Sequence, residues 1–237
     1  MKIVSNSKLI RRNAAIGKYT VFGAMAILAL GLYITFKMPT QLLYSMGCLM
    51  LGFILSQVGT YYSNRWGRSP RPDELINKCL KGLGRDYTIY HYVTPAHHLL
   101  VGPAGVWVIM PYLQKGIITY ERKRWRIKGG GFVQSYLRVF GSESLGRPDL
   151  ESEGEVDATT RHLKRLFPEG MAAPQVNAVL LFANPQAELK VDDAPLPAKT
   201  AADLRDYIKD QARGEGIGQM ALDTIRKALP QPDREEE

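Results

Sequence analysis

Cysteine is scarce: the 237 residues hold two, Cys48 inside an apolar run and Cys79 in a predicted helix. Two isolated thiols exclude a disulfide framework, and without further Cys or His at short spacing they exclude a structural zinc site. Acid is missing altogether from residues 1–72, which carry nine Lys or Arg, at 2, 8, 11, 12, 18, 37, 65, 68 and 71. The remainder holds 22 basic residues against 23 acidic ones, so the formal charge of +8 is +9 from the first segment and −1 from the rest. That split removes the inference from a pI of 9.4 to a nucleic-acid-binding protein. Internal repeats are lacking, as is any Ser/His/Asp or Cys/His arrangement. The glycine-rich 214–218, GEGIG, follows no strand and so fails the context of a dinucleotide loop.

Charge of either sign is absent from two runs, Tyr19 to Phe36 and Leu42 to Tyr62. Eighteen helical residues reach about 27 Å, close to the roughly 30 Å of a bilayer's hydrocarbon core. With only Lys37-Met38-Pro39-Thr40-Gln41 between them, the runs predict a transmembrane helical hairpin spanning residues 19–63. A signal peptide fits poorly, because the first run is too long, lacks a small-residue cleavage site and is followed by a second span. Five basic residues precede the hairpin and Arg65, Arg68 and Arg71 follow it, against Lys37 alone in the turn. The positive-inside rule then places both termini and the soluble domain in the cytoplasm, at the cell membrane. Gly52 and Ser56 form one small-x-x-x-small pair suited to close helix packing. Residues 1–18 read as a basic cytoplasmic N-terminus and 64–72 as a basic juxtamembrane linker, which serves as topology signal and spacer.

Residues 73–229 read as a soluble α/β domain, followed by an acidic tail, 230–237, expected to be disordered. Pro72-Asp73-Glu74 opens a helix whose Leu75, Ile76, Cys79, Leu80 and Leu83 share a face. Strands are expected at Tyr87–Val93, Gly116–Glu121, Arg124–Lys128, Phe132–Phe140 and Val176–Phe182, the last (VNAVLLF) the cleanest buried one. Helices are expected at Asp149–Phe167, after Thr200-Ala201-Ala202-Asp203, which resembles a capping box, and at Ile217–Leu229.

Between them lies Ala96 to Lys115, AHHLLVGPAGVWVIMPYLQK. His98–Val101 and Val106–Ile109 are rich in branched apolar residues, and Gly102-Pro103-Ala104-Gly105 supplies a turn, so a β-hairpin is predicted. Pro111 removes a strand donor, which suggests an edge strand or a bulge there. This stretch resembles the nuclease-related domain, the NERD family of restriction-endonuclease-like folds, whose hairpin carries an Asp-His pair, a Val-Gly-Pro-x-Gly-Val turn and a Glu-x-Lys. Here His97-His98, Val101-Gly102-Pro103-Ala104-Gly105-Val106 and Met110-Pro111-Tyr112 stand at those places. The resemblance implies a mixed sheet flanked by helices. It also implies a site in which the metal-binding Asp and Glu and the catalytic Lys are replaced by His97, Met110 and Tyr112.

Those replacements point to a domain that has lost nuclease chemistry and works as a binding or scaffolding module, anchored in the lipid bilayer with a protein partner. The alternative is a tethered nuclease using Mg²⁺, its groups moved to Glu74, Lys115 or Glu121. No metal site is otherwise expected. His91 and His97, on neighbouring strands, could meet, but two ligands are too few, and one buried His beside exposed ones is the plainer reading. Glu151, Glu153, Glu155 and Asp157 read as a solvated helix start. Arg122, Lys123, Arg124, Arg126 and Lys128 form the basic patch of the soluble domain. On a strand, Arg124, Arg126 and Lys128 share one face while Trp125 and Ile127 share the other. Such a ribbon suits phosphate, of nucleic acid or of lipid, or simply a solvated edge.

Overall fold

A computed structural model of the chain describes residues 1–128, 145–168, 171–214 and 216–231. The predicted strand at 132–140, the glycine turn before it and most of the acidic tail lie outside them. The chain divides into two compact units, Ser7–Glu74 and an α/β unit made of Met1–Asn6 with Leu75–Glu237.

The first unit is an antiparallel pair of helices, α1 (Ser7–Lys37) and α2 (Leu42–Tyr62), the latter continued by a π-helical turn, Ser63–Gly67. Both are long and apolar enough to cross a membrane, with mean hydropathies of 1.8 and 1.6 over their most apolar windows. Their buried seam is made of small residues seven apart: Gly17, Ala24 and Gly31 on α1, and Ser45, Gly52 and Gly59 on α2. A seven-residue repeat keeps one stripe facing its partner along the whole contact. The backbones come close: a Cβ at Gly52 would lie 2.6 Å from Leu28 Cγ and one at Gly59 2.7 Å from Val21 Cγ2. The seam thus runs through Gly52 and Gly59, seven apart, rather than through Gly52 and Ser56. Thr35 and Ser45 hydroxyls bond to each other across the turn end, so each satisfies the other. Next in the chain, Pro72 sits first in α3 (Pro72–Cys79), and Arg71 pairs with Asp73 and Glu74 at 3.0 Å each.

The α/β unit is built on a six-stranded mixed sheet ordered β1-β2-β3-β4-β7-β9: β1 (Lys2–Ser5), β2 (Thr88–His91), β3 (His98–Gly102), β4 (Gly105–Tyr112), β7 (Val176–Phe182) and β9 (Ala198–Thr200). The central hairpin is the expected one. Val101 faces Val106 and Gly102 faces Gly105, whose φ of +102° only glycine adopts freely. Gly102 has a second reason to lack a side chain, since a Cβ there would lie 2.2 Å from the Tyr87 ring. Trp107 donates its indole N–H to the Ala104 carbonyl at 2.8 Å and pins the turn.

Side-chain alternation explains why β4 and β7 read as continuous apolar runs. Val106, Val108, Met110 and Tyr112 on β4, with Val176, Ala178, Leu180 and Phe182 on β7, enter one core layer. Trp107, Ile109, Val179 and Leu181 enter the other. Strands covered on both faces have few polar positions to spare, here Asn177 alone, half-buried opposite Trp107. The second layer is closed by Ile76 and Leu80, from α3 and its end, and by Leu204 and Ile208 of α5 (Leu204–Arg213). The first is closed by Leu163 of α4 (Pro148–Leu166), by Leu222 and Ile225 of α6 (Gln219–Ala228), and by Ile118 and Trp125 of a small three-stranded sheet. That sheet is ordered β6-β5-β8, with β5 at Gly116–Glu121, β6 at Arg124–Lys128 and β8 at Ala187–Lys190.

Four features depart from the sequence reading. The N-terminal residues are part of the α/β unit: β1 pairs in parallel with β2, Val4 opposite Tyr90, and Val4 is only 6% exposed. β8 and β9 are strands to which the sequence reading gave no element. β4 is interior rather than an edge or a bulge, with Pro111 in register against Leu181. The Tyr112 carbonyl accepts from Ala183 of the β7 side, so Pro111 turns its missing donor the other way, where the β3 pairing has ended. Finally, Thr200 does not cap α5. Its hydroxyl donates to Asp203 at 2.6 Å, and the helix begins after Asp203 without a side-chain cap.

Candidate functional site

The three positions singled out on the hairpin meet at one end of the large sheet. β3 and β4 pair with Leu99 opposite Val108, and that register extended by two places His97 beside Met110, with Tyr112 next on the same face of β4. Met110 and Tyr112 are buried, and Tyr112 stacks on Phe182 with ring centroids 5.5 Å apart. Helix α4 packs over this face. Glu153 and Asp157 are exposed, as a solvated helix start requires, while Glu151, itself exposed, and the half-buried Glu155, one turn apart, each accept a hydrogen bond from the sheet side. Tyr112 donates its hydroxyl to Glu151 Oε2 at 3.2 Å. His97 gives Glu155 two contacts, from its backbone N–H at 3.2 Å and from Nδ1. The sequence signal for this was the i, i+4 spacing, which puts two acids on one face without saying which way that face looks.

Burial, and then the adjacent Glu151 carboxylate, push the Tyr112 hydroxyl above its ordinary pKa, so it stays a neutral donor across the physiological range. Tyr112 therefore brings no positive charge to steady a phosphate or an attacking hydroxide. Met110 offers a thioether, which a hard, oxygen-seeking ion such as Mg²⁺ has no use for. Among the described residues no group of three or more His, Cys, Asp or Glu is placed to hold a metal ion. The arrangement works as a clamp, in which two side chains of the sheet each hold a carboxylate of the covering helix.

Of the three groups offered for the alternative, Glu74 and Glu121 are engaged elsewhere, and Lys115 is exposed. Glu74 accepts from the Arg71 backbone N–H at 3.0 Å and the Ser69 hydroxyl at 2.7 Å, tying the start of α3. Glu121 pairs with Lys128 on the β5–β6 hairpin.

The histidines are arranged differently from expectation. β2 and β3 pair His91 with His98, and it is these two, not His91 and His97, that meet. Both are buried, their Nδ1 atoms 2.8 Å apart, and His91 Nε2 lies 3.0 Å from Asn77 Oδ1. Asn77 Oδ1 can only accept, so that contact calls for a proton on His91 Nε2, and one of the two facing Nδ1 atoms donates to the other. His97 is half exposed.

The basic patch is an amphipathic ribbon as predicted. Arg124, Arg126 and Lys128 are exposed on β6, Trp125 is buried and Ile127 half-buried. Glu121 faces Arg124 across a two-residue loop, Arg122-Lys123, whose φ values are +51° and +58°. That is the type I′ geometry which Asn-Gly adopts easily; a non-glycine residue in it costs of order 1 kcal/mol. No ion pair among the described residues includes Arg122, Lys123, Arg124 or Arg126.

No family model, curated protein or solved structure matches the chain.

Proposed function

We propose that this is a membrane-anchored protein whose cytoplasmic α/β domain, NERD-like in its hairpin and restriction-endonuclease-like in fold, is catalytically inactive and serves as a binding or scaffolding module. The observation that carries this reading is the clamp on α4. At the three places where the resemblance requires Asp, Glu and Lys stand His97, Met110 and Tyr112. His97 and Tyr112 are bound to Glu155 and Glu151, and Met110 is packed in the core.

Anchoring rests on α1 and α2, whose outward faces carry exposed Phe22, Met25, Leu32, Leu43, Met50 and Phe53. Such contiguous apolar surface belongs in lipid. The pairing of β1 with β2 supports a two-span reading, because residues on either side of the hairpin share one sheet and so one side of the bilayer. The count of Lys and Arg favours the cytoplasmic side.

The test is calorimetric titration of Mg²⁺ and Mn²⁺ into the full chain in detergent, with a plasmid-nicking assay on the same sample. The full chain is needed because Met1–Asn6 completes the sheet. No binding and no nicking are expected. Metal-dependent nicking abolished by Glu74→Ala or Glu121→Ala would overturn the reading and mean that the active centre has moved.

A further inference from the structure

The β5–β6 hairpin tip presents Arg122, Lys123, Arg124 and Arg126, all exposed; the one carboxylate beside them among the described residues, Glu121 opposite Arg124, is paired with Lys128, which leaves the tip with a net excess of positive charge. A solvated edge needs charge, but it does not need charge at the two loop positions, where both residues adopt positive φ and Asn-Gly would be the easier sequence. Cations held there project from the end of the ribbon rather than along its edge, so they add nothing to blocking strand addition. We propose that this tip is a docking surface for the anionic headgroups of the phospholipid bilayer; the inference rests on the anchored reading above.

Two observations choose lipid over nucleic acid. Single-stranded nucleic acid is held by stacking on presented aromatics as well as by charge. The aromatics of this ribbon are turned inward: Trp125 is buried, and Tyr120 packs on it with centroids 5.3 Å apart. Four cations at one hairpin tip would contact about four duplex phosphates, fewer than the roughly six to ten of a protein that tracks a duplex groove. A charged bilayer surface asks only for clustered Lys and Arg. The chain also keeps the domain's local headgroup concentration high, since Asn6 alone joins β1 to α1, and residues 68–71 join the π-helical turn to α3.

The experiment uses the full chain in nanodiscs of neutral phospholipid or with one third anionic phospholipid, and measures amine acylation of Lys123 by mass spectrometry against Lys190 as the internal reference. Lys123 should react several-fold more slowly in anionic discs at low salt, with the difference lost in high salt and in the R122Q/R124Q/R126Q variant. That variant alters only exposed side chains, and an unchanged melting temperature verifies its fold. Equal Lys123 reactivity in both discs overturns the proposal. Protection by an oligonucleotide in neutral discs, without protection in anionic ones, overturns it in favour of nucleic acid. Failure of the chain to co-elute with the discs after a high-salt wash would instead overturn the anchoring itself, which is read separately from the Lys123 signal.

Discussion

Replacing Val4 by Ala tests whether the first six residues belong to the α/β unit. Val4 is 6% exposed and packs in the first core layer, while its neighbour Ile3 is 37% exposed. Val4→Ala removes two buried methyl groups, at about 0.8 kcal/mol each, and leaves a small cavity, so a loss of about 2 kcal/mol follows. In a unit of this size that lowers the melting temperature by roughly 4–8 °C. Ile3→Ala, the larger truncation by side-chain volume, should cost less than about 1 kcal/mol because its side chain faces outward. Deleting residues 1–6 should cost more than Val4→Ala. It also removes the bonds from the Lys2 N–H to Tyr87 and from the Asn6 N–H to His91, at 2.8 and 3.1 Å, along with the ladder between them. The assay is thermal unfolding of the full chain in detergent followed by near-ultraviolet circular dichroism, in which Trp107 and Trp125 report on this unit. Equal melting temperatures for Val4→Ala and Ile3→Ala would refute the placement of β1. If residues 1–6 were a solvated tail, neither substitution would register.

Gly102→Ala should destabilise by about 2–3 kcal/mol, because the added methyl runs into the Tyr87 ring, and adding Tyr87→Leu should recover part of that loss in chemical denaturation. Tyr112→Phe should cost about 1.5 kcal/mol through the lost hydrogen bond to Glu151; a double-mutant cycle with Glu151→Gln should show a coupling of at least about 0.5 kcal/mol, and strict additivity would sink the clamp. In the helical pair, Gly52→Leu should open the seam and raise protease sensitivity of the α1–α2 turn. Gly47→Leu should not, since nothing lies within 4 Å of a Cβ there. Comparable digestion of the two would argue against the Gly52–Gly59 contact.

What could be read from the sequence was whatever is encoded locally. The hairpin announced itself through branched apolar runs on either side of Gly102-Pro103-Ala104-Gly105, β7 through a run apolar at every position but Asn177, and the helical pair through two uncharged stretches. The amphipathic ribbon at Arg124–Lys128 followed from period-two alternation. The features that escaped depend on distant partners. β1 is four residues, KIVS, that become a strand only because Thr88–His91 offers an edge. β8 and β9, with four and three residues, have no fully buried position to mark them. Pro111 followed its local rule in a way the sequence could not show, since the rule concerns which side of the strand lacks a partner. The pairing of His91 with His98, and of Glu151 and Glu155 with Tyr112 and His97, depends on register and on the direction a helix face looks, and neither is written in spacing.

Because β1 pairs in parallel with β2, the whole stretch from Asn6 to Tyr87 serves as the crossover between two neighbouring strands of one sheet. β1 is therefore synthesised well before the strand it pairs with and must wait to be placed. At roughly 5–20 residues per second, on the order of ten seconds pass between the appearance of β1 and that of its partner. Through that interval the N-terminus stays unpaired while the two apolar helices are made. Chain placed directly ahead of β1 would be carried straight onto the edge of the sheet.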